Sequence, residues 1–248
     1  MSETINIISV FLVGILASFI GSIAGSGALL IIPFLIFIGL PPQAAIATNK
    51  MGTVGTYIGS TPKFFKAKKI LWKYVPLFML LSLIGAYVGA NALLTINEDI
   101  LMKMTGAILL LMLPTLFIGK EFGVKQREVT RRKKIIGYVL FLLVMIFAGF
   151  FGGGATTLTF CVLTTFFGLT INQANGTTTI PWLALSLLAL TIFAINGIVD
   201  YYLGTSLFLG TVIGGRLGAH TAIRKGNEWV RLILMIVLLI SGIKFLFF

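Results

Sequence analysis

The amino-acid sequence predicts an all-α polytopic membrane protein made of two inverted-topology repeats. Its residues are 58% hydrophobic and 10% charged, with a mean hydropathy of +1.05, whereas soluble domains carry about 25% charged residues. The apolar runs are continuous rather than alternating with period two, which favours helical spans. A glycine cluster recurs inside an apolar run in each half of the chain, and basic residues are concentrated in short loops.

Eight to ten apolar segments, about five in each half, follow one another along the chain. Several of them are shorter than the ~20 residues that a full span needs. We therefore expect the first two segments of each half to be short, broken at a glycine cluster, and to form a hairpin whose tip lies inside the bilayer. In chain order the segments lie near 5–22, 28–40, 47–62, 71–94, 100–119, 135–151, 155–168, 176–198, 201–222 and 229–248.

The two glycine clusters organise the rest of the chain. Glycine destabilises helices, so a cluster within an apolar run predicts a helix break that is retained for another reason. Two broken apolar segments at corresponding places in two halves indicate the binding site of a transporter. The first cluster is Gly25-Ser26-Gly27, and the second is Gly152-Gly153-Gly154.

The two halves of the chain align with each other. The first glycine cluster falls on the second, and further small or polar residues coincide at an offset two residues larger. We therefore predict a first transmembrane repeat at 1–119, a basic cytoplasmic linker at 120–134 and a second transmembrane repeat at 135–248. The aligned pairs are Gly39 with Gly168, Ala45 with Ala174, Thr48 with Thr177, Gly85 with Gly214, and Gly89 with Gly218.

The basic loops predict the orientation, because cytoplasmic loops of membrane proteins are rich in lysine and arginine. The lysines at 63–73, the central loop at 120–134 and the basic pair at 224–225 are then cytoplasmic. The loops at 97–99 and 196–200 carry no lysine or arginine and fall outside. Aligned loops thus lie on opposite sides of the plasma (inner) membrane, and both termini are predicted outside.

Several other classes of protein are disfavoured. The net charge of +12 could indicate nucleic-acid binding, but basic residues in short loops set membrane orientation, so we expect no nucleic acid. One histidine and one cysteine cannot form the usual metal sites, and neither a nucleophile–base set nor a phosphate-binding loop is visible. We therefore expect no metal, no cofactor and no enzymatic activity. The apolar N-terminal run lacks a basic leader and has a counterpart in the second half, so we interpret it as mature structure.

The glycine clusters are candidates for binding an anion. A helix that starts at a glycine-rich break presents free N–H groups and the positive end of its dipole, which together form an anion site without a charged side chain. The alternative is close helix packing through small residues. We favour the anion site for both clusters, since three consecutive small residues exceed what packing needs. For Gly85 and Gly89 we favour packing.

Polar side chains that follow the clusters are further candidates. Hydroxyl, amide and ammonium donors could replace water around a small oxyanion, although threonine and asparagine also serve as helix caps. Lys50 leads into apolar sequence, where a cation is costly and usually functional, unless its side chain snorkels to an interface. Arg216 lies deeper in its segment than His220, which we expect at an interface. The candidates are Thr48, Asn49 and Lys50 in the first half, and Thr156, Asn175, Thr177, Thr178 and Arg216 in the second.

Three sets of motifs can be compared with known families: Gly25-Ser26-Gly27 with Pro33, Gly39-Leu40-Pro41-Pro42 with Ala47-Thr48-Asn49, and Gly152-Gly153-Gly154 with Gly168-Leu169 and Gly176-Thr177. In these motifs, and over nearly its whole length, the chain resembles the TauE/SafE family of membrane proteins, called sulfite exporters. The resemblance implies export or uptake of sulfite, sulfonates or related organic anions across the plasma membrane. The chain departs from the family pattern at Asn49, where many members have serine, and at Thr178 after the second Gly-Thr.

The predicted function is transport of small anions by alternating access at a midplane site. Sulfite and sulfur-containing organic anions such as sulfonates are the first candidates. None of the seven acidic residues lies deep in an apolar segment, which argues against a cation pathway. The alternative is a membrane-embedded enzyme or an assembly factor without transport activity. The expected partners are a small anion and the lipid bilayer, and a homo-oligomer is left open.

Overall fold

The computed structural model describes residues 3–25, 27–96 and 123–247. Every regular element in these ranges is an α-helix, which confirms the predicted all-α class. The apolar segment expected near 100–119 and the loop at 97–99 lie outside the described residues, as does Ser26 of the first glycine cluster. The helices are α1 (Glu3–Ala24), α2 (Ala28–Phe37), α3 (Pro42–Lys66), α4 (Val75–Thr95), α5 (Arg131–Phe150), α6 (Ala155–Phe167), α7 (Ile171–Ile195) and α8 (Tyr201–Phe247).

Four of these helices, α1, α4, α5 and α7, are long and apolar enough to cross a membrane. The chain is therefore a multi-pass membrane protein. The expectation that the first two segments of each half are short is wrong for the first of each pair, since α1 has 22 residues and α5 has 20. Only α2, with 10 residues, and α6, with 13, are short. The predicted linker at 120–134 extends too far, because its last four residues, 131–134, form the first turn of α5, where a charged side chain can reach the interface.

Helices α3 and α7 begin several residues before the apolar runs that predicted them. Pro42 lies at the start of α3, where its missing N–H costs nothing. Thr170 caps α7 by accepting a hydrogen bond from Gln173 N, and the Gln173 side chain accepts one from the Thr170 backbone. Gly39 precedes α3 and Gly168 precedes α7, and both have the positive φ that glycine favours. The polar residues near the beginning of α3 and α7 are part of these helices.

The basic pair at 224–225 lies within α8 rather than in the loop that we predicted there. The backbone is helical on both sides of Gly226, which alone departs from helical geometry, with φ 85° and ψ 177°. A single glycine can redirect the chain at this point because a residue without Cβ adopts positive φ without strain. The predicted break in the apolar pattern is therefore a kink between two helical parts.

Helix α1 packs closely along α8, and the two run parallel. Glycines at four-residue intervals on α8 lie directly against backbone carbonyls of α1, so that any Cβ there would collide with a carbonyl oxygen. Small residues that let two backbones approach are the usual interface of membrane helices. The facing pairs are Gly210 with Phe11, Gly214 with Ile15, and Gly218 with Phe19.

A second parallel pair is formed by α4 and α5. Gly85 lies against the backbone of Met145, and Gly89 lies against the carbonyl of Ile146. These contacts favour the packing interpretation of Gly85 and Gly89. Helix α3 packs between α7 and α8, and α7 also packs against α4. The broken ends of α1 and α5 therefore lie next to the middle helices α3 and α7.

Candidate functional site

The first glycine cluster breaks the chain between α1 and α2. Gly25 has φ +83°, a conformation that favours glycine, and its N–H donates to Gly21 O at 2.7 Å. A Cβ at Gly27 would lie only 2.8 Å from the carbonyl oxygen of Ala17. Both glycines are therefore required by the backbone path. Ser26, the third member of this predicted anion-binding cluster, lies between them and is outside the described residues.

The second cluster breaks the chain between α5 and α6. Gly152 and Gly154 have positive φ values of 84° and 78°. Gly153 differs, because a Cβ there would point at the Phe151 ring and at Leu29, with closest approaches of 2.5 and 3.1 Å. The three glycines thus have different surroundings, and Gly153 packs against apolar side chains.

The two breaks meet inside the protein. A Cβ at Gly25 would lie 3.0 Å from Thr157 N, and the Thr157 hydroxyl donates to Ala24 O at 3.2 Å. Asn175 on α7 donates from Nδ2 to Ser22 O at 2.6 Å. The carbonyl end of α1, which has no partner within its own helix, is thereby held by side chains from α6 and α7.

Lys50 performs the corresponding task at the other break. Its side chain is 2% exposed, and Nζ donates to Ala148 O, near the carbonyl end of α5, at 2.5 Å. A cation is favourable at a helix C-terminus, yet one backbone carbonyl uses only one of the three ammonium donors. Because Lys50 is buried, the snorkelling interpretation is wrong.

A cavity of about 40 Å³ lies beside Lys50, where the two breaks meet. It is lined by residues of α1, α2, α3, α6 and α7 and by both breaks. No acidic side chain is among its described lining residues. Six of the sequence-predicted site residues line it: Gly25, Gly27, Asn49, Lys50, Gly152 and Thr156.

Comparison with known proteins identifies the family. Residues 10–245 match the family described as Sulfite exporter TauE/SafE. The chain belongs to this family. The resemblance seen in the sequence is therefore confirmed, and a solved structure that matches the chain was not found.

Relatives in this family extend over nearly the whole chain. A probable membrane transporter protein of Haemophilus influenzae is 25% identical over 232 residues, which cover 92% of this chain and 89% of the relative. The probable membrane transporter protein YfcA of Escherichia coli is 28% identical over 241 residues, covering 96% and 88%. The probable membrane transporter protein YdhB of Bacillus subtilis is 27% identical over 218 residues, covering 86% and 87%. The family and these names support a membrane transporter.

Some predicted site residues of this TauE/SafE protein lie outside the cavity lining and make structural hydrogen bonds instead. The hydroxyl of Thr48 accepts from Asp200 N at 3.0 Å, and that of Thr177 accepts from Leu71 N at 3.0 Å. The hydroxyl of Thr178 donates to Ala174 O in its own helix at 2.8 Å. These residues anchor helix ends and loops around the site.

The remaining predicted site residues are also absent from the cavity lining. Gly154 precedes α6 and supports the turn, and Gly153 faces Phe151 and Leu29. Asn175 is buried, and its side chain donates a hydrogen bond to Ser22 O. Arg216 is exposed on α8 and is not among the described lining residues. The structure thus brings together the two breaks and the start of α3, without Arg216.

Several lining residues were not predicted from the sequence. Most of them are polar or aromatic, and three of these could have been predicted from helical spacing. Thr53 and Tyr57 follow Lys50 at the three- and seven-residue intervals that share a helix face, and Trp182 follows Asn175 at the seven-residue interval. The unpredicted residues are Ser18, Gly21, Ala28, Ile31, Thr53, Thr56, Tyr57 and Trp182.

Two buried polar atoms at the cavity have no hydrogen-bond partner among the described residues. They are Nε1 of Trp182 and Oδ1 of Asn49. Each side chain is 2% exposed, and leaving such a group unpaired in the interior costs about 1–3 kcal/mol. The cavity is lined by polar side chains, among them Ser18, Lys50 and Thr53, within an apolar bundle, as a site for a small polar solute requires.

Proposed function

We propose that this protein carries small anions across the membrane, with sulfite or sulfur-containing organic anions such as sulfonates as substrates. Lys50 is the residue that carries this proposal. Its ammonium is buried where the two helix breaks meet, and no acidic side chain is among the described residues that line the cavity. A buried charge without a counter-charge costs several kcal/mol, and a bound anion would supply that counter-charge.

The helix starts beside the cavity also favour an anion. Helix α2 begins at Ala28 after Gly27, and α6 begins at Ala155 after Gly154. Neither start carries a side-chain cap among the described residues. Uncapped helix N-termini present N–H groups and positive dipole ends. Their position agrees with an anionic substrate, as does the sulfite exporter description of the family.

We further propose that the chain consists of two inverted repeats, at 1–119 and 135–248, joined by the linker at 120–134. A pair of equivalent hydrogen bonds supports this arrangement, since Asp200 N donates to Thr48 and Leu71 N donates to Thr177, both at 3.0 Å. Thr48 aligns with Thr177 at the same offset that brings Leu71 onto Asp200. Each threonine therefore accepts its hydrogen bond from a loop in the other half of the chain, and the two loops align with each other.

The parallel helix pairs support the proposed orientation. Because α1 runs parallel to α8, its N-terminal end lies on the same side as the loop at 196–200. Because α4 runs parallel to α5, the lysine loop and the basic segment before α5 also share a side. We place the basic segments in the cytoplasm and both termini outside.

The cavity lining suggests how the site would alternate between the two sides. One wall comes from the first half, through α1, α2 and α3, and the other from the second half, through α6 and α7. Rocking of one half against the other is the usual mechanism of inverted repeats. It would break the bonds of Lys50 to Ala148 and of Asn175 to Ser22, which join the halves. The bond of Asn175 has a net worth of about 1 kcal/mol and that of the Lys50 ammonium about 1.5–3 kcal/mol, so the cost is compatible with a cycling transporter.

Reconstitution tests the proposal directly. The purified full chain in proteoliposomes should move sulfite down its gradient, whereas protein-free liposomes should not. Flux of sodium or potassium should stay at the protein-free level, because Lys50 repels cations. A membrane enzyme or an assembly factor would give no flux of any anion, and robust cation flux would contradict an anion-selective site.

A further inference from the structure

We propose that Trp182 is a specificity-determining residue, whose indole N–H is a second anion donor beside Lys50, and that the site takes a compact oxyanion of the size of sulfite while excluding larger organosulfonates. This inference rests on the proposed anion transport and narrows its substrate class. Trp182 lies in α7, and Lys50 lies in α3, so the two donors would come from opposite halves of the chain.

The indole N–H of Trp182 lacks a hydrogen-bond partner among the described residues. The side chain lines the cavity and is 2% exposed, and Nε1 itself is buried. An indole N–H can only donate, so an oxygen with lone pairs is the partner that it needs. A buried donor of this kind is rare in folded proteins unless a partner is supplied from elsewhere.

The ring of Trp182 is held in a fixed orientation. It stacks on Tyr57, with ring centroids 5.9 Å apart and planes inclined by 26°. Tyr57 also lines the cavity, as does Thr156 at the start of α6. The aromatic pair thus connects α3 with α7 and forms a wall of the cavity that Lys50 also lines. A rigid wall discriminates by size because it cannot move aside without losing these contacts.

The volume of the cavity sets the size of the ligand. A single water needs roughly 10–15 Å³ of such space, so about 40 Å³ accommodates only a few water-sized groups. Sulfite has a compact pyramidal head, and each added carbon of an alkanesulfonate needs further room against the aromatic wall. Both proposed donors, the Lys50 ammonium and the Trp182 indole, have no acceptor capacity. The site therefore favours a small ligand that presents acceptors, as an oxyanion does.

The test compares Trp182→Phe with wild type by isothermal titration of the full chain in detergent, using sodium sulfite, methanesulfonate and ethanesulfonate. Phenylalanine keeps an aromatic ring against Tyr57 and removes the N–H. Trp72→Phe is the matched control, since Trp72 is exposed and contacts Phe65 rather than the cavity.

We expect wild type to bind sulfite at least tenfold more tightly than ethanesulfonate. Trp182→Phe should bind sulfite about tenfold more weakly, which is the ordinary worth of a hydrogen bond to a charged group, and Trp72→Phe should match wild type.

A second measurement needs no change at Trp182. In the ¹⁵N-labelled wild-type chain, the indole N–H signal of Trp182 should move downfield on addition of sulfite, while that of Trp72 stays in place. Equal sulfite affinity of Trp182→Phe and wild type, an unmoved Trp182 signal under saturating sulfite, or equal affinity for ethanesulfonate would each overturn the inference. If sulfite flux persists in those cases, the proposed function stands without it. If the wild-type chain neither binds nor moves any of the three anions, both fall.

Discussion

Gly152 leaves the space beside the Lys50 ammonium open. A Cβ on Gly152 would lie 3.3 Å from Lys50 Nζ and 3.2 Å from the carbonyl oxygen of Ala148, which accepts the ammonium's hydrogen bond. Of the three glycines in the second cluster, Gly152 is therefore the one in contact with the charged group. Its replacement should disturb the position of Lys50 rather than the apolar contacts that surround Gly153.

Gly152→Ala is expected to lower sulfite flux at least tenfold in proteoliposomes, because the added methyl group crowds the Lys50 ammonium. It should also lower the free energy of unfolding by about 1–2 kcal/mol, the cost of a left-handed backbone for a residue with a Cβ. Gly197→Ala is the matched control, since Gly197 has a similar φ of +70° and a Cβ there would meet nothing within 4 Å. Both variants should lose similar stability, and only the first should lose flux. Equal flux of the two variants would show that the surroundings of Gly152 do not matter.

Asn49→Asp would place a carboxylate in the cavity with almost no change in shape. The new charge would pair with Lys50 and repel an anionic substrate, so sulfite binding should weaken at least tenfold. The measurement is sulfite titration at neutral pH. Asn91→Asp, at an exposed position on α4, makes the same chemical change far from the cavity and should bind sulfite as wild type does. Unchanged sulfite affinity of Asn49→Asp would exclude the cavity as the anion site.

The proposed orientation can be tested with single cysteines in a Cys161→Ala background, which removes the only native cysteine. Asn196 and Lys66 are both exposed and lie in or beside loops that we place on opposite sides. In intact cells, a cysteine at Asn196 should react with an impermeant maleimide, and one at Lys66 should react only after permeabilisation. The reverse labelling pattern would invert the topology, and reaction of both from outside would contradict the inverted repeats.

The helix breaks could be predicted from the sequence because their cause is local. Gly25, Gly152 and Gly154 have positive φ values, and a run of small residues in an apolar segment indicates such a backbone directly. The burial of Lys50 could be predicted only as one of two alternatives, since a lysine at this position could either snorkel or serve a function. In the structure the neighbouring helices cover its side chain, so it does not reach the membrane interface.

The sequence does not predict which side chains point into the cavity, because this depends on how each helix is rotated about its axis and on which helices pack against it. Thr48 and Asn49 are adjacent in sequence, yet the first bonds to Asp200 N and the second lines the cavity. Trp182 shares a helix face with Asn175, but an aromatic residue within an apolar run is ordinary and does not by itself indicate a site. The depth of Arg216 in its segment indicates a site residue, whereas the structure places it on an exposed face of α8.

The central claim is that Lys50 provides the counter-charge for a transported anion, and Lys50→Met tests it most directly. Methionine has a similar length and no charge, so the variant should fold. Its melting temperature without anion should equal or exceed that of wild type, because replacing a buried charge by an apolar side chain is often neutral or stabilising. Lys66→Met is the control, since Lys66 is exposed at the end of α3. The measurement is sulfite efflux from proteoliposomes with equal amounts of each protein. We predict that Lys50→Met loses at least nine-tenths of the flux while Lys66→Met keeps it, whereas wild-type flux in a folded Lys50→Met protein would contradict the account.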